Sequence, residues 1–358
     1  MEKQFAQLLD RLQTWETKPP TSKQISLLSD IGPSEVDALR EVWPHIPLRS
    51  RRLLISNLLA MSEADVSLDF TEVFLLALED PDEHVRLGAL EGLWEYDEED
   101  FVPILIRMMD SDPSVQIRAE AAMNLGRFAL QGELEELSPQ TTDLVRRALI
   151  AAWNSPDQDV EVRRRALESV ACLTGDDIGE MISAAYRDKD ERMNVSAVYA
   201  MGQTLDDVWA PYVLKELKSP RPEMRYEAAR SAGALELADA VPTLLDMIHD
   251  PDTEVRTAAI EALGDIGGER AVQALLELAR SGNEAIREAA LDALDVADFG
   301  ENPLGPGILS WLLGQGAGPM GFPGWDEDLD EDDLPDDDDF GDDDEDEWDR
   351  DLGRDRWN

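Results

Sequence analysis

Arg86, Arg118, Arg163, Asn194, Arg225, Arg256 and Arg287 stand 32, 45, 31, 31, 31 and 31 residues apart, and the residues around each of them repeat as well. Three positions after every rung of this ladder lies alanine: Ala89, Ala121, Ala166, Ala197, Ala228, Ala259 and Ala290. One position before it lies Val85, Ile117, Val162, Met193, Met224, Val255 or Ile286, and seven positions after it Leu93, Leu125, Val170, Met201, Ala232, Leu263 or Leu294. Offsets of −1, +3 and +7 share one stripe of a helix with 3.6 residues per turn, so each rung marks an amphipathic helix. A unit repeated at this period cannot bury its apolar face alone and must stack on its neighbours. The expected fold is all-α, an α-solenoid of helical hairpins, and such stacks serve more often as binding surfaces than as catalytic pockets.

Each repeat reads as helix, short turn, helix. Upstream of the rung helices run other apolar stretches, such as Val241 to Ile248 and Ala271 to Leu278. The pairs Asp80-Pro81, Asp112-Pro113, Ser155-Pro156, Ser219-Pro220 and Asp250-Pro251 place an oxygen-bearing residue before a proline, which predicts a helix start there or two to three residues later. The invariant alanine predicts the point of closest helix approach, where a charge would be left unpaired inside the stack. Gly126, Gly202, Gly233 and Gly264 fit helix ends that need left-handed backbone. A rung found in nearly every unit describes the repeat rather than one site, so the arginines are expected to tie turns together through the Asp six positions earlier or in the adjoining unit.

The run from Asp250 to Gly267, DPDTEVRTAAIEALGDIG, resembles the short bacterial HEAT-like repeat, the type also seen in phycobilisome lyase subunits. The resemblance covers residues 62 to 298 in about seven repeats. It implies a right-handed α-solenoid whose second helices line a concave face, in a family of scaffolds and adaptors. Asn194 and about 14 extra residues around Gly132 to Asp143 depart from the pattern; the insertion predicts either a bulge on one rim or an added helical turn. Deoxyhypusine hydroxylases, an enzyme branch of HEAT-like proteins, place paired His-Glu motifs on their helices. Here none of His45, His84 and His249 precedes a glutamate, and no metal or cofactor site is expected. No nucleophile and base pair or phosphate-binding glycine loop stands out either.

Charge is the second strong signal. Of the formal −47, residues 326–358 carry −17, from 20 acids and three arginines, and residues 1–60 are close to neutral. An acidic surface repels nucleic acid, whose binding needs basic stripes that release counterions, so the expected partner is a protein, with basic proteins favoured. Residues 299–325 read as a Gly/Pro-rich linker with the apolar island Ile308 to Leu313, a cap on the last repeat or a docking motif. Residues 326–358 read as a disordered acidic tail punctuated by Trp325, Phe340, Trp348 and Trp357 at its start and along it. Asp326, Asp328 and Asp330 begin like a calcium loop, but Glu331 stands where glycine is needed. Residues 1–61 read as an N-terminal helical cap whose basic cluster, Arg49, Arg51 and Arg52, is expected to be solvated or to receive the tail. One cysteine excludes a disulfide framework, and no apolar run approaches the ~20 residues of a membrane span, so a cytoplasmic location is expected.

Offsets +1 and +5 of the second helices should face the groove. Only the middle units offer aromatic residues with arginine there, and Arg164, Tyr199, Tyr226 and Arg230 form the candidate partner-binding site. The competing reading has the tyrosines filling gaps between helices, and Trp209 is expected to pack rather than recognise. The functional expectation is a non-enzymatic protein-binding scaffold assisted by its acidic tail. The alternatives are a subunit of a chromophore lyase or isomerase-like complex, or an acidic-tail chaperone for basic proteins.

Overall fold

A computed structural model describes residues 2–15 and 19–301, and every regular element among them is a helix. The apolar island, the acidic tail and its calcium-like start lie outside the described residues. The N-terminal helices are α1 (Glu2–Gln13), α2 (Ser22–Ile25), α3 (Pro33–Val42) and α4 (Leu48–Ala64). From there helices alternate in hairpins: α5 (Thr71–Ala77) with α6 (Glu83–Gly92), α7 (Phe101–Ser111) with α8 (Val115–Glu133), and α9 (Pro139–Asn154) with α10 (Val160–Val170). There follow α11 (Asp176–Tyr186) with α12 (Glu191–Gln203), α13 (Ala210–Glu216) with α14 (Pro222–Ala234), α15 (Val241–Met247) with α16 (Thr253–Ile266), and α17 (Gly268–Leu278) with α18 (Glu284–Glu301).

Each hairpin packs on the next, second helix against second helix from α4 to α18, which is the one-dimensional contact pattern of a solenoid. The rung alanines from Ala89 to Ala290 are fully buried, as are nearly all the −1 and +7 residues. The insertion is absorbed by helix: α8 runs on to Glu133, and α9 begins at Pro139.

The rung arginines interlock successive units. Arg86 donates through Nη1 to its own turn at the Asp80 carbonyl (2.8 Å), and through Nε and Nη2 to the Asp112 carboxylate of the next hairpin (2.8 and 2.7 Å). Arg225 repeats this on Ser219 O and on Asp250. Arg118 reaches Gln158 instead, and Arg163 donates to Trp153 O and lies 5.1 Å over that indole ring. Asn194 is too short to bridge, but its Nδ2 still satisfies the carbonyls of Ala185, Tyr186 and Asp188. The unit after it carries Ser219 at the position where Asp112 and Asp250 accept from Arg86 and Arg225, so no carboxylate waits there; Ser281 after Arg256 is the same.

The later of the two expected helix starts holds after Asp80, Asp112, Ser219 and Asp250, each three residues ahead of its helix, while Ser155 stands five ahead. The Asp of an Asp-Pro pair is not itself the cap; the capping side chains are Asp82, Ser114, Asp159, Asp190 and Asp252, which accept from the first helical N–H groups. Asp80, Asp112 and Asp250 instead accept the N–H two residues on, which folds the turn and aims the carboxylate at the preceding unit's arginine. Nor do Gly126, Gly202, Gly233 and Gly264 end helices, since all four lie inside them. A Cβ on Gly264 would stand 2.6 Å from Ala293 O, and one on Gly202 2.9 Å from Ser231 Cα, so these glycines let adjacent second helices touch backbone to backbone. The left-handed residue after those helices is Glu135, Leu205 or Glu236, with glycine there only at Gly267. Because the second helices approach this closely while the first helices meet mainly their own partners, the second-helix row forms the tighter, inner side of the stack.

Candidate functional site

The ladder sets consecutive second helices in register, so residues 31 apart form a row along the inner face. At offset +5 this row reads Glu168, Tyr199, Arg230, Glu261 and Asp292. The structure brings three of the four candidate residues into contact. The Arg230 guanidinium lies over both the Tyr199 ring (5.8 Å to its centroid) and the Tyr226 ring (5.7 Å), one from the neighbouring helix and one from its own. Both tyrosines are half-buried, while nearly half of the Arg230 side chain is open to solvent. Burial pushes the Tyr199 hydroxyl up from its ordinary pKa, helped by the Glu168 charge, so it remains a proton donor.

Arg164 stands apart from this stack. Its Nη1 donates to both oxygens of Glu161 (2.7 and 2.9 Å), its Nε to Ser196 Oγ (2.9 Å), and its Nη2 lies 3.4 Å from Glu168. Those bonds use its donors within the protein, and its role here is to hold Glu168 beside Tyr199. Arg165 also pairs with Glu161 and Glu168.

Glu227 is the residue that offset reasoning missed. Its Oε2 is buried, makes no hydrogen bond, and lies 3.6 Å from Arg230 Nη1. Desolvation raises its pKa and Glu168 adds to the rise, while Arg230, Arg164 and Arg165 oppose it. A signal for it exists at offset +2: Gly88 at one end and Ala258 and Ala289 at the other are small, but the middle units read Glu120, Arg165, Ser196 and Glu227. Glu120 likewise has its pKa raised by burial. A polar column in a position that packing keeps small elsewhere marks the same middle units as the tyrosines.

Beside the stack lies a cavity of about 390 Å³, flanked by Tyr199, Gln203, Arg230, Glu261, Asp265 and Asp292. Three carboxylates face one guanidinium there, and burial raises the pKa of Asp265. Among the described residues no group of three or more His, Cys, Asp or Glu side chains is placed to hold a metal ion. Burial raises the Cys172 thiol to about 11, which keeps it protonated and unreactive at neutral pH. Trp209 is buried against Tyr212, a packing role.

The basic cluster near the N-terminus is split: Arg49 and Arg52 are exposed, as expected, and Arg51 is not. Arg51 is buried and forms an ion pair with Asp80 at 2.9 Å, at an angle poor for a hydrogen bond, while its Nη1 caps the Trp43 and Ile46 carbonyls. It is an additional rung, contributed by α4. Arg52 grips Asp82 with two bonds (2.9 and 2.6 Å), which leaves Arg49 exposed without a partner among the described residues.

A sequence-family model for HEAT repeats matches residues 71–154 and 210–295. No curated protein matches the chain. Among solved structures, the Escherichia coli protein YibA is similar at 20% identity, with a TM-score of 0.43 over 71% of this chain and 89% of that one. The complex of CpcE and CpcF of phycocyanin lyase from Nostoc is similar at 19% identity, with a TM-score of 0.40 over 55% and 77%. Human deoxyhypusine hydroxylase is similar at 20% identity, with a TM-score of 0.33 over 74% and 96%.

Proposed function

Since the chain is a HEAT-repeat protein, we propose that it is a non-catalytic scaffold that holds an extended segment of a partner protein along its inner face, with Tyr199, Tyr226 and Arg230 as the anchor. The observation that supports this is the half-exposed Arg230 held between two tyrosines in the middle of the row. Tyr and Arg combine large contact area with hydrogen bonding, and a guanidinium already positioned by stacking loses little freedom on binding. One oxygen of the nearby Glu227 is buried without a hydrogen bond and meets Arg230 only across 3.6 Å, an arrangement that costs stability and is at odds with a purely structural role for these helices.

In the same proposal the partner segment is basic. Glu168, Glu227, Glu261, Asp265 and Asp292 outnumber the cations of the inner face, and Arg164 and Arg165 are already paired. The acidic tail adds long-range attraction that speeds encounter. The working location is the cytoplasm.

The test is affinity capture with full-length protein, with residues 1–325, and with a Tyr199→Ala/Tyr226→Ala variant whose helix content is verified by circular dichroism. The partner retained by the full-length chain should be lost or weakened at least about tenfold with the double variant, the change expected when hot-spot aromatics are removed. Tail removal should slow association and reduce its salt dependence. Undiminished capture by the folded double variant sinks the assignment.

A further inference from the structure

The N-terminal end of the stack carries a second feature, independent of the Arg230 stack. Between the C-terminal ends of α4 and α6 lies an open groove of about 620 Å³. Its floor is apolar and built: the buried ring of Phe74 fills the space that a side chain at Gly92 would need, 2.5 Å from an ideal Cβ. Above the floor stand two large apolar side chains left in water, Trp94 with about half its surface exposed and Val66 almost wholly exposed. Trp94 is not on a loose loop. The Arg127 guanidinium donates to the carbonyls of Leu93 (3.1 Å), Trp94 and Tyr96, and itself packs 4.8 Å from the Phe128 ring, so the strap presenting the indole is pinned to α8.

Every charged residue lining this groove is acidic. Glu63, Glu91 and Glu95 are exposed and in no ion pair among the described residues, and Asp69, Asp97 and Glu98 complete the rim, with no lysine or arginine lining it. A pinned, exposed tryptophan over an apolar floor is what a hydrophobic anchor residue needs, and an unneutralised carboxylate rim selects positive charge around that anchor. A second copy of this chain placed here would bring two such rims together, which like-charge repulsion opposes.

We propose that this groove docks a cationic amphipathic segment of a partner protein, with a bulky apolar side chain on Trp94 and Phe74 and flanking lysines or arginines on Glu63, Glu91 and Glu95. The site needs none of Tyr199, Tyr226 and Arg230, so the two proposals stand or fall separately.

The probe is a helix-forming Leu/Lys peptide, with its Leu/Glu counterpart and oligolysine as controls, titrated into the full-length protein. The readout is nitrogen–proton NMR of the indoles, the Trp94 signal among the nine tryptophans being assigned by its loss in Trp94→Phe. The Leu/Lys peptide should shift the Trp94 indole saturably. Trp94→Ala should weaken peptide binding by about tenfold or more, and separately a Glu63→Gln/Glu91→Gln/Glu95→Gln variant should weaken as much the binding read at the Trp94 indole. Oligolysine, lacking an anchor, should leave the indole in place. An unmoved Trp94 signal at saturating peptide, an equal shift with the Leu/Glu peptide, or undiminished affinity in the folded Trp94→Ala protein each overturns the proposal. So does a Trp94 shift that follows protein concentration alone, since that assigns the groove to a second copy.

Discussion

Arg225 of one hairpin holds Asp250 of the next through two parallel bonds, Nε to Oδ2 at 2.7 Å and Nη2 to Oδ1 at 2.8 Å, while its Nη1 caps the Ser219 carbonyl of its own turn. One side chain thus closes a turn and joins two repeats. Asp250 in return orders its own turn by accepting the Asp252 N–H at 2.9 Å. Both side chains are largely buried, so deleting one leaves the other's charge uncompensated. Arg225→Ala should destabilise by about 3 kcal/mol, the lower end of the cost of breaking a buried pair. Denaturant titration of Arg225→Ala, Asp250→Ala and the double variant measures it, and a double variant as costly as the sum of the two singles would show that the pair is not coupled.

Acid should loosen the stack at its turns. The hydrogen bond from Arg225 is the main cause holding the Asp250 pKa below its ordinary value, and Arg192 brings Asp190 from 3.8 to about 2. A carboxylate with a depressed folded pKa stabilises the fold above its unfolded pKa, and that contribution is lost as pH falls through the folded value. Thermal stability should therefore fall between about pH 4 and pH 2, and Asp190→Asn should flatten the decline. A melting temperature constant over that window contradicts the assignment.

Glu227 should behave in the opposite sense. Its pKa is raised by desolvation, so its charged form weakens the fold at neutral pH and the penalty fades as pH drops below the folded pKa. Glu227→Gln should raise the melting temperature at pH 7 and give a smaller gain near pH 4. Loss of stability at pH 7 would show that its pairing with Arg230 outweighs the desolvation.

The helical glycines allow a comparison of sign. Alanine in a helix interior is ordinarily better than glycine by about 1 kcal/mol, and overpacking costs about 1–3 kcal/mol. At Gly264 the new methyl would meet the Ala293 backbone, which cannot swing aside, whereas at Gly179 in α11 it would meet only Trp209 at 3.9 Å. Gly264→Ala should lower stability by about 1–2 kcal/mol and Gly179→Ala should raise it by up to about 1 kcal/mol. Calorimetry on the two variants decides, and equal shifts would remove the packing explanation for the glycine column.

Arg51 and Arg52 are adjacent in sequence and opposite in consequence. Arg51→Ala should cost about 3 kcal/mol, because Asp80 is fully buried beside it, whereas Arg52→Ala should leave the melting temperature almost unchanged, since its pair with Asp82 is open to water. The reverse ranking by thermal melts would show that α4 does not supply a rung.

The hairpin stack, its apolar stripe and the small residue at offset +3 could all be read from local periodicity, because each follows from which side of one helix is apolar. Tyr199, Tyr226 and Arg230 could be located for the same reason, as the exceptions in a repeating pattern. What periodicity does not carry is which side chain of the next unit comes within reach. The acceptor of Arg86 lies 26 residues on and that of Arg118 40 residues on, Arg51 is a rung outside the period, and Gly264 is small because of a backbone 29 residues away. Arg164 and Arg230 each pair with a glutamate of their own helix, yet Arg164 also donates to Ser196 of the next helix and is closed off, whereas Arg230 is half open between two rings. That difference rests on distances between neighbouring helices, which are set when whole hairpins pack and not by the composition of any one of them.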